Sequence, residues 1–277
     1  MDQISKEQIH IGKLNGKILV FGGAYSNLQA LEKMKDIARE ADIPASNTIC
    51  TGDIIGYCAQ PTECLSVIRE WGIHSIAGNV EVQIRNGDEE CGCNFEEGTR
   101  CDVFSRQWYP YAFNKISDLD KKWMSTLPLN IKFEYAGKQI CILHGGLDDI
   151  SQFIFESTDW STKDEIIRRT QSNVILAGHC GLPFHNVEDD HHWLNAGVIG
   201  MPANDGTSRV WYMILDDEDG FNFSHHSYEY DHIEAAKLMV EESLPTIYAK
   251  TLSSGLWDNC EVLPEKETGM QGIPYEF

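Results

Sequence analysis

Basic residues are scarce in this chain of 277 residues: 22 Lys and Arg stand against 43 Asp and Glu, a net charge of -21. Nucleic-acid binding needs clustered cations to displace counterions, so that class is not expected. An anionic membrane surface would repel the chain as well. A negatively charged ligand would be repelled at long range unless a bound cation reverses the field locally. Long apolar runs are also missing. No stretch approaches the roughly 20 apolar residues of a membrane span. Met1–Gly16 is polar and mixed in charge, without the apolar run of a signal peptide. A cytoplasmic protein is expected, with no membrane partner. Internal repeats are absent too.

Cysteine, in contrast, is plentiful. Nine are present, an odd number that cannot all pair. In a reducing compartment they are expected as thiols or ligands rather than disulfides. Cys91-x-Cys93 with Cys101 lies in an insertion at about 87–104 that breaks the surrounding pattern. Three thiolates there, with Cys58 or Cys180, could hold zinc, although the spacing is not that of a zinc module. The plainer reading is a set of reduced thiols beside a cleft.

Strands and helices alternate through the first part of the chain. Lys17–Phe21 reads as a buried strand, and Leu28, Leu31, Met34 and Ala38 then recur at helical spacing. Ser26 with Gln29 reads as a capping box. Thr48–Cys50 is a strand, Pro61–Trp71 a helix, and Ile73–Ala77 a third strand. This β-α-β-α-β order predicts a mostly parallel sheet. Helices are expected near 104–115 and 118–125. A hairpin across Ala136-Gly137 follows, and its second strand delivers His144. Lys163–Thr170 is helical, Asn173–Ala177 is a strand, the run from 182 to 223 is strand-rich, and a helix begins near His232. The domain is expected to span 1–245. Residues 246–277 read as a C-terminal extension that packs on it or is partly mobile.

Four short motifs stand at strand ends, where open α/β sheets bind ligands. They are Gly52-Asp53, Gly78-Asn79, His144-Gly145-Gly146 and Gly178-His179. One carboxylate, one amide and two imidazoles are ligand types for a transition-metal ion. Each also has a bland reading: Asp53 and Asn79 as turn residues, the histidines as packed side chains.

The order of these motifs resembles the calcineurin-like metallophosphoesterase family over about residues 17 to 216. Gly52-Asp53 matches that family's second motif, and Gly78-Asn79-Val80-Glu81 matches the third except at its His. His144 matches the fourth, and Gly178-His179-Cys180-Gly181 the fifth except at its second His. Val20–Leu28 aligns with the first motif, with Gly23 in place of the Asp and Tyr25 in place of the His. Asn195-Ala196-Gly197 resembles the segment that follows the last motif. The resemblance implies an α/β fold, a four-layer α-β-β-α sandwich of two mixed sheets.

The family clamps phosphate between two metal ions. The resemblance implies that one half-site survives here, with Asp53, Asn79, His144 and His179 as ligands. In the other, Gly23, Tyr25 and Gly181 stand where the family's ligands would be, and Val80 stands where its general acid would be. One divalent or trivalent ion is therefore expected: Zn, Mn, Fe or Ni. Tyr25 fills the volume of the lost His, ligates a ferric ion through its phenolate, or offers its hydroxyl to a phosphate oxygen. Ser26, Asn79 and the N–H groups of Gly23–Asn27 are further candidates for binding a phosphate. The expected function is hydrolysis of a phosphomonoester or phosphodiester with a single ion. A non-catalytic module that binds a phosphate-bearing ligand is the alternative, and a metal-free structural protein is a third. The sequence names no catalytic residue, substrate or oligomeric state.

Overall fold

The structure, a computed structural model, describes residues 8–277. The expected polar start of the chain lies, for residues 1–7, outside the described residues. Two mixed sheets pack face to face. The first has six strands: β1 (Gln8–Lys13), β5 (Asn130–Tyr135), β6 (Lys138–Ile142), β7 (Val174–Ala177), β9 (His191–Ala196) and β8 (Pro183–Glu188), in that spatial order. The second has five: β11 (Asn222–Tyr228), β10 (Val210–Asp216), β2 (Ile18–Phe21), β3 (Thr48–Cys50) and β4 (His74–Ser75). Three successive strands run parallel in each sheet, β6-β7-β9 in one and β2-β3-β4 in the other. The expected fold class is observed.

Side-chain alternation explains the layering. On β2, Ile18 and Val20 join Ile49, Phe133, Ile142, Leu176 and Met213 in the core between the sheets. Leu19 and Phe21 point the other way, against helices α1 (Leu28–Glu40) and α2 (Pro61–Trp71). Both faces of β2 are buried, so the strand reads as a continuous apolar run. The outer face of the six-stranded sheet carries Ile175 and Trp193 against Ile166 and Ile167 of α6 (Trp160–Thr170).

Several elements differ from expectation. β1 was not expected; it pairs in parallel with β5 at the sheet edge and is mostly exposed, so it lacks an apolar face to signal it. A helix, α3 (Asn79–Asn86), begins inside the third motif. The cap of α1 is Asn27 rather than Ser26: its Oδ1 accepts from the Ala30 N–H at 3.2 Å. Ser26 has a left-handed backbone (φ 60°), and its Oγ instead accepts from the Gly56 N–H at 3.1 Å. Helices α4 (Arg100–Lys115) and α5 (Asp118–Met124) follow the insertion. After α7 (His232–Glu241), the tail forms α8 (Thr246–Ser254) and α9 (Glu265–Gly269) and packs on the sandwich.

Candidate metal centre

The loops after β2, β3, β4, β6, β7 and β9 emerge at one edge of the sandwich. There the Gly22 N–H donates to the Gly197 carbonyl at 3.0 Å, tying the two sheets together. Two glycines let the motif loops interlock. A β-carbon on Gly52 would lie 2.6 Å from the Gly78 nitrogen, and one on Gly78 only 2.0 Å from Asp53 Oδ1. Gly52 also sits at φ 95°, where a side chain is strained.

His144 is the centre of the resulting cluster. Its Nδ1 lies 2.7 Å from the Thr51 carbonyl oxygen, a pure acceptor, so Nδ1 carries a proton. Its Nε2 faces Asp53 Oδ2 at 3.2 Å, Asn79 Oδ1 at 3.1 Å and His179 Nδ1 at 3.2 Å. One proton on Nε2 can serve only one of three lone-pair donors. A cation shared by the four atoms would serve them all, so the donor set fits a metal ion. Among the described residues, Asp53, His144 and His179 are the one group of His, Cys, Asp or Glu whose donor atoms converge in this way. All three side chains are buried, and so is Asn79.

Electrostatics agree with a cation-seeking site. Burial alone would lower the His144 pKa, but the Asp53 carboxylate and the bond to Thr51 outweigh it and raise it above its usual value. His179 goes the other way: burial, then the neighbouring His144, push it down to about 3. A neutral imidazole is the form that ligates. Phe153 packs against the His179 ring at 4.4 Å between centroids.

Asn79 and Asp53 are held from behind. The Asn79 Nδ2 donates to the Cys91 carbonyl at 3.0 Å, which turns Oδ1 toward His144. Glu81 accepts three backbone N–H groups, from Asp53 at 2.9 Å, Ile55 at 3.0 Å and Gly78 at 2.8 Å. Burial, then the charge of Asp53, push its pKa up to about 7. The spacing Gly78-x-x-Glu81 is the reciprocal half of a capping box, a signal present in the sequence but given no role there. Asn195 does the same for the fifth motif, its Nδ2 donating to the Gly178 carbonyl at 2.8 Å.

The other candidates are placed differently. Tyr25 lines the cavity beside the cluster; Ser26, whose Oγ accepts from the Gly56 N–H, does not. Of the N–H groups of Gly23–Asn27, those of Tyr25, Ser26 and Asn27 are already bonded to the carbonyls of Asp53, Ile54 and Ala24. Cys91 and Cys93 form a disulfide instead of staying reduced. The left-handed Gly92 between them brings their Cα atoms to 5.4 Å, within bridging range. Cys101 faces Asn259 Oδ1, so the three sulfurs make no zinc site. Cys58 and Cys180 are buried and donate to the carbonyls of Gly200 and Leu182.

A sequence profile of calcineurin-like phosphoesterases matches residues 9–206. The chain belongs to this family. An uncharacterized protein of Methanocaldococcus jannaschii is 26% identical over 255 residues, covering 86% of this chain and 98% of that protein. The fold is similar to that of a hypothetical protein from Pyrococcus horikoshii, with a TM-score of 0.73 and 17% identity over 87% of this chain and 99% of the other. It is similar also to a metallophosphoesterase from Sphaerobacter thermophilus, with a TM-score of 0.67 and 19% identity over 88% of this chain and 100% of the other. Calcineurin-like phosphoesterases use divalent metal ions and act on phosphoesters. Beyond the profile match lie Tyr248, Thr251, Trp257, Asp258, Asn259 and Val262, all of which line the cavity. Sequence reading gave this tail no part in the site, because its residues carry no metal-ligand pattern.

Proposed function

We propose that this protein is a phosphoesterase working with a single divalent transition-metal ion held by Asp53, Asn79, His144 and His179. The observation that supports it is the convergence of Asp53 Oδ2, Asn79 Oδ1 and His179 Nδ1 on His144 Nε2. When bound, such an ion supplies a water nucleophile at neutral pH and draws charge from a phosphoryl oxygen. The chain itself contributes orientation. Thr51 fixes the His144 tautomer, Glu81 locks the Asp53 and Asn79 loops together, and the apolar cavity wall keeps water from competing. The second half-site of the family is replaced by Gly23, Tyr25 and Gly181.

The test is metal analysis of protein purified without chelator, followed by turnover of 4-nitrophenyl and bis(4-nitrophenyl) phosphate with Mn²⁺ added. About one equivalent of Zn, Mn, Fe or Ni is expected, with turnover that His144→Ala abolishes. Metal content far below one equivalent, or activity untouched by His144→Ala, would overturn the reading. Metal bound without turnover of any ester would make the chain a ligand-binding module instead.

A further inference from the structure

The cavity beside the four donors has a volume of about 90 Å³ and is walled by aromatic rings. Tyr57 lies in its wall, edge-on to Tyr25 at 4.8 Å and to Tyr248 at 5.1 Å between centroids. Phe153 and Trp257 also line it. Trp257 is fixed there, its Nε1 donating to the Pro202 carbonyl at 2.8 Å and its backbone N–H to Asn204 at 2.7 Å. The wall offers ring faces and edges to an aromatic group.

Charge narrows the choice. No Lys or Arg lines the cavity. Its carboxylates are Asp53, in the donor cluster, and Asp258, which is paired with Arg100. Glu81 is not in the lining, and its oxygens face three N–H groups. A divalent ion with Asp53 therefore leaves one positive charge for the ligand to meet. A phosphodiester carries one negative charge, a phosphomonoester about two, and a nucleoside polyphosphate more. Uncompensated charge is costly in a cavity with apolar walls. The diester balances the site and the others do not.

The lining also lacks a ready proton donor for a leaving oxygen. Its one imidazole, His179, belongs to the donor cluster, and Val80 occupies the lining position next to Asn79. Burial raises the pKa of Tyr57 and Tyr248, so their hydroxyls hold their protons. A leaving group that departs unprotonated must be stable as an anion.

We propose that the site takes a phosphodiester with an uncharged aromatic leaving group, seated against Tyr25, Tyr57 and Tyr248. This rests on the phosphoesterase reading above. A water oxygen forms a bond to phosphorus as the bond from phosphorus to the aryl oxygen breaks, its electron pair going to that oxygen. The diester monoanion and water give a phosphomonoester monoanion and a phenol. One proton of the water ends on the phosphate and the other on the phenol after its release.

The experiment uses the full chain loaded with Mn²⁺ and a series of methyl aryl phosphates of increasing leaving-group pKa, with 4-nitrophenyl phosphate and ADP as competitors. Methyl 4-nitrophenyl phosphate is expected to exceed 4-nitrophenyl phosphate at least about tenfold in kcat/KM. ADP should be inert. Log kcat/KM should fall steeply with leaving-group pKa, and Val80→His should flatten that slope. Tyr248→Leu, which keeps an apolar side chain in the wall, should raise KM several-fold and spare kcat. A preference for the monoester, turnover of ADP or a flat slope would overturn the proposal while leaving the phosphoesterase reading intact. If no ester turns over, calorimetry with diphenyl phosphate and inorganic phosphate decides separately. Binding of diphenyl phosphate about tenfold tighter or more keeps the ligand class and removes the hydrolase reading. Equal or weaker binding overturns the ligand class as well.

Discussion

The ring of Tyr25 occupies the space into which a side chain on Gly23 would project. A β-carbon at Gly23 would lie 2.5 Å from Tyr25 Cε1. The two departures from the family's first motif are therefore one packing arrangement, in which the ring excludes the carboxylate. Gly23→Asp alone should destabilise the fold by about 1–3 kcal/mol through overpacking, read by urea unfolding, and should bind no second ion. Gly23→Asp combined with Tyr25→His and Gly181→His should raise metal content from one equivalent toward two. Two equivalents in Gly23→Asp alone would show that Tyr25 excludes nothing.

Glu81 joins two motif loops, so its loss should be felt in both stability and metal binding. Glu81→Gln places an amide donor among three N–H groups. It should cost about 1–3 kcal/mol in chemical unfolding for a buried donor left without an acceptor. Metal affinity should fall about tenfold or more, by analogy with other supporting residues around metal ligands. An unchanged affinity in competition with a chelator would assign Glu81 to packing alone.

Gly52→Ala should be more damaging than the same change at an open left-handed position. Its β-carbon would meet the Gly78 nitrogen at 2.6 Å and His144 Nδ1 at 2.9 Å. Strain and overpacking together should cost about 2–4 kcal/mol. Gly72 is the comparison: it has φ 71° but nothing within 4 Å. Gly72→Ala should cost only the left-handed penalty, about 1–2 kcal/mol. Thermal unfolding of the two variants side by side checks the difference.

His225 predicts an acid limb in the stability profile. It is buried, its Nε2 donates to the Asn195 carbonyl at 2.8 Å, and burial pushes its pKa down to about 4 from 6.5. As pH falls below about 6.5 the unfolded chain takes up a proton that the folded chain refuses. The stability is fully present above that pH and is lost progressively toward about pH 4. The loss should reach up to about 3 kcal/mol. His225→Gln keeps a donor for Asn195 and should flatten this limb relative to the parent chain. Parallel limbs in the two proteins would place the acid sensitivity elsewhere.

Much of the architecture was legible because β2, β3 and β7 are short apolar runs followed by glycine-containing motifs. The candidate donors were legible for the same reason: each stands at a strand end, and their order resembles a known pattern. What escaped had no such signature. β1 is an exposed edge strand whose pairing with β5 depends on partners far away in sequence. The role of Asn27 as cap was hidden by Ser26, an equally good cap type one position earlier, because only the backbone path toward Gly56 separates them. The Cys91–Cys93 bridge depends on the left-handed turn at Gly92. The walls made by Tyr248 and Trp257 are ordinary aromatic residues until the tail is seen folded over the motif loops.

The tail sets an order on assembly. All four donors lie at or before His179, while Tyr248 and Trp257 come much later in the chain. As the polypeptide leaves the ribosome, the loops that carry the four candidate donors are synthesised well before their cover. The nascent chain thus carries Asp53, Asn79, His144 and His179 before Tyr248 and Trp257 exist to wall the cavity beside them.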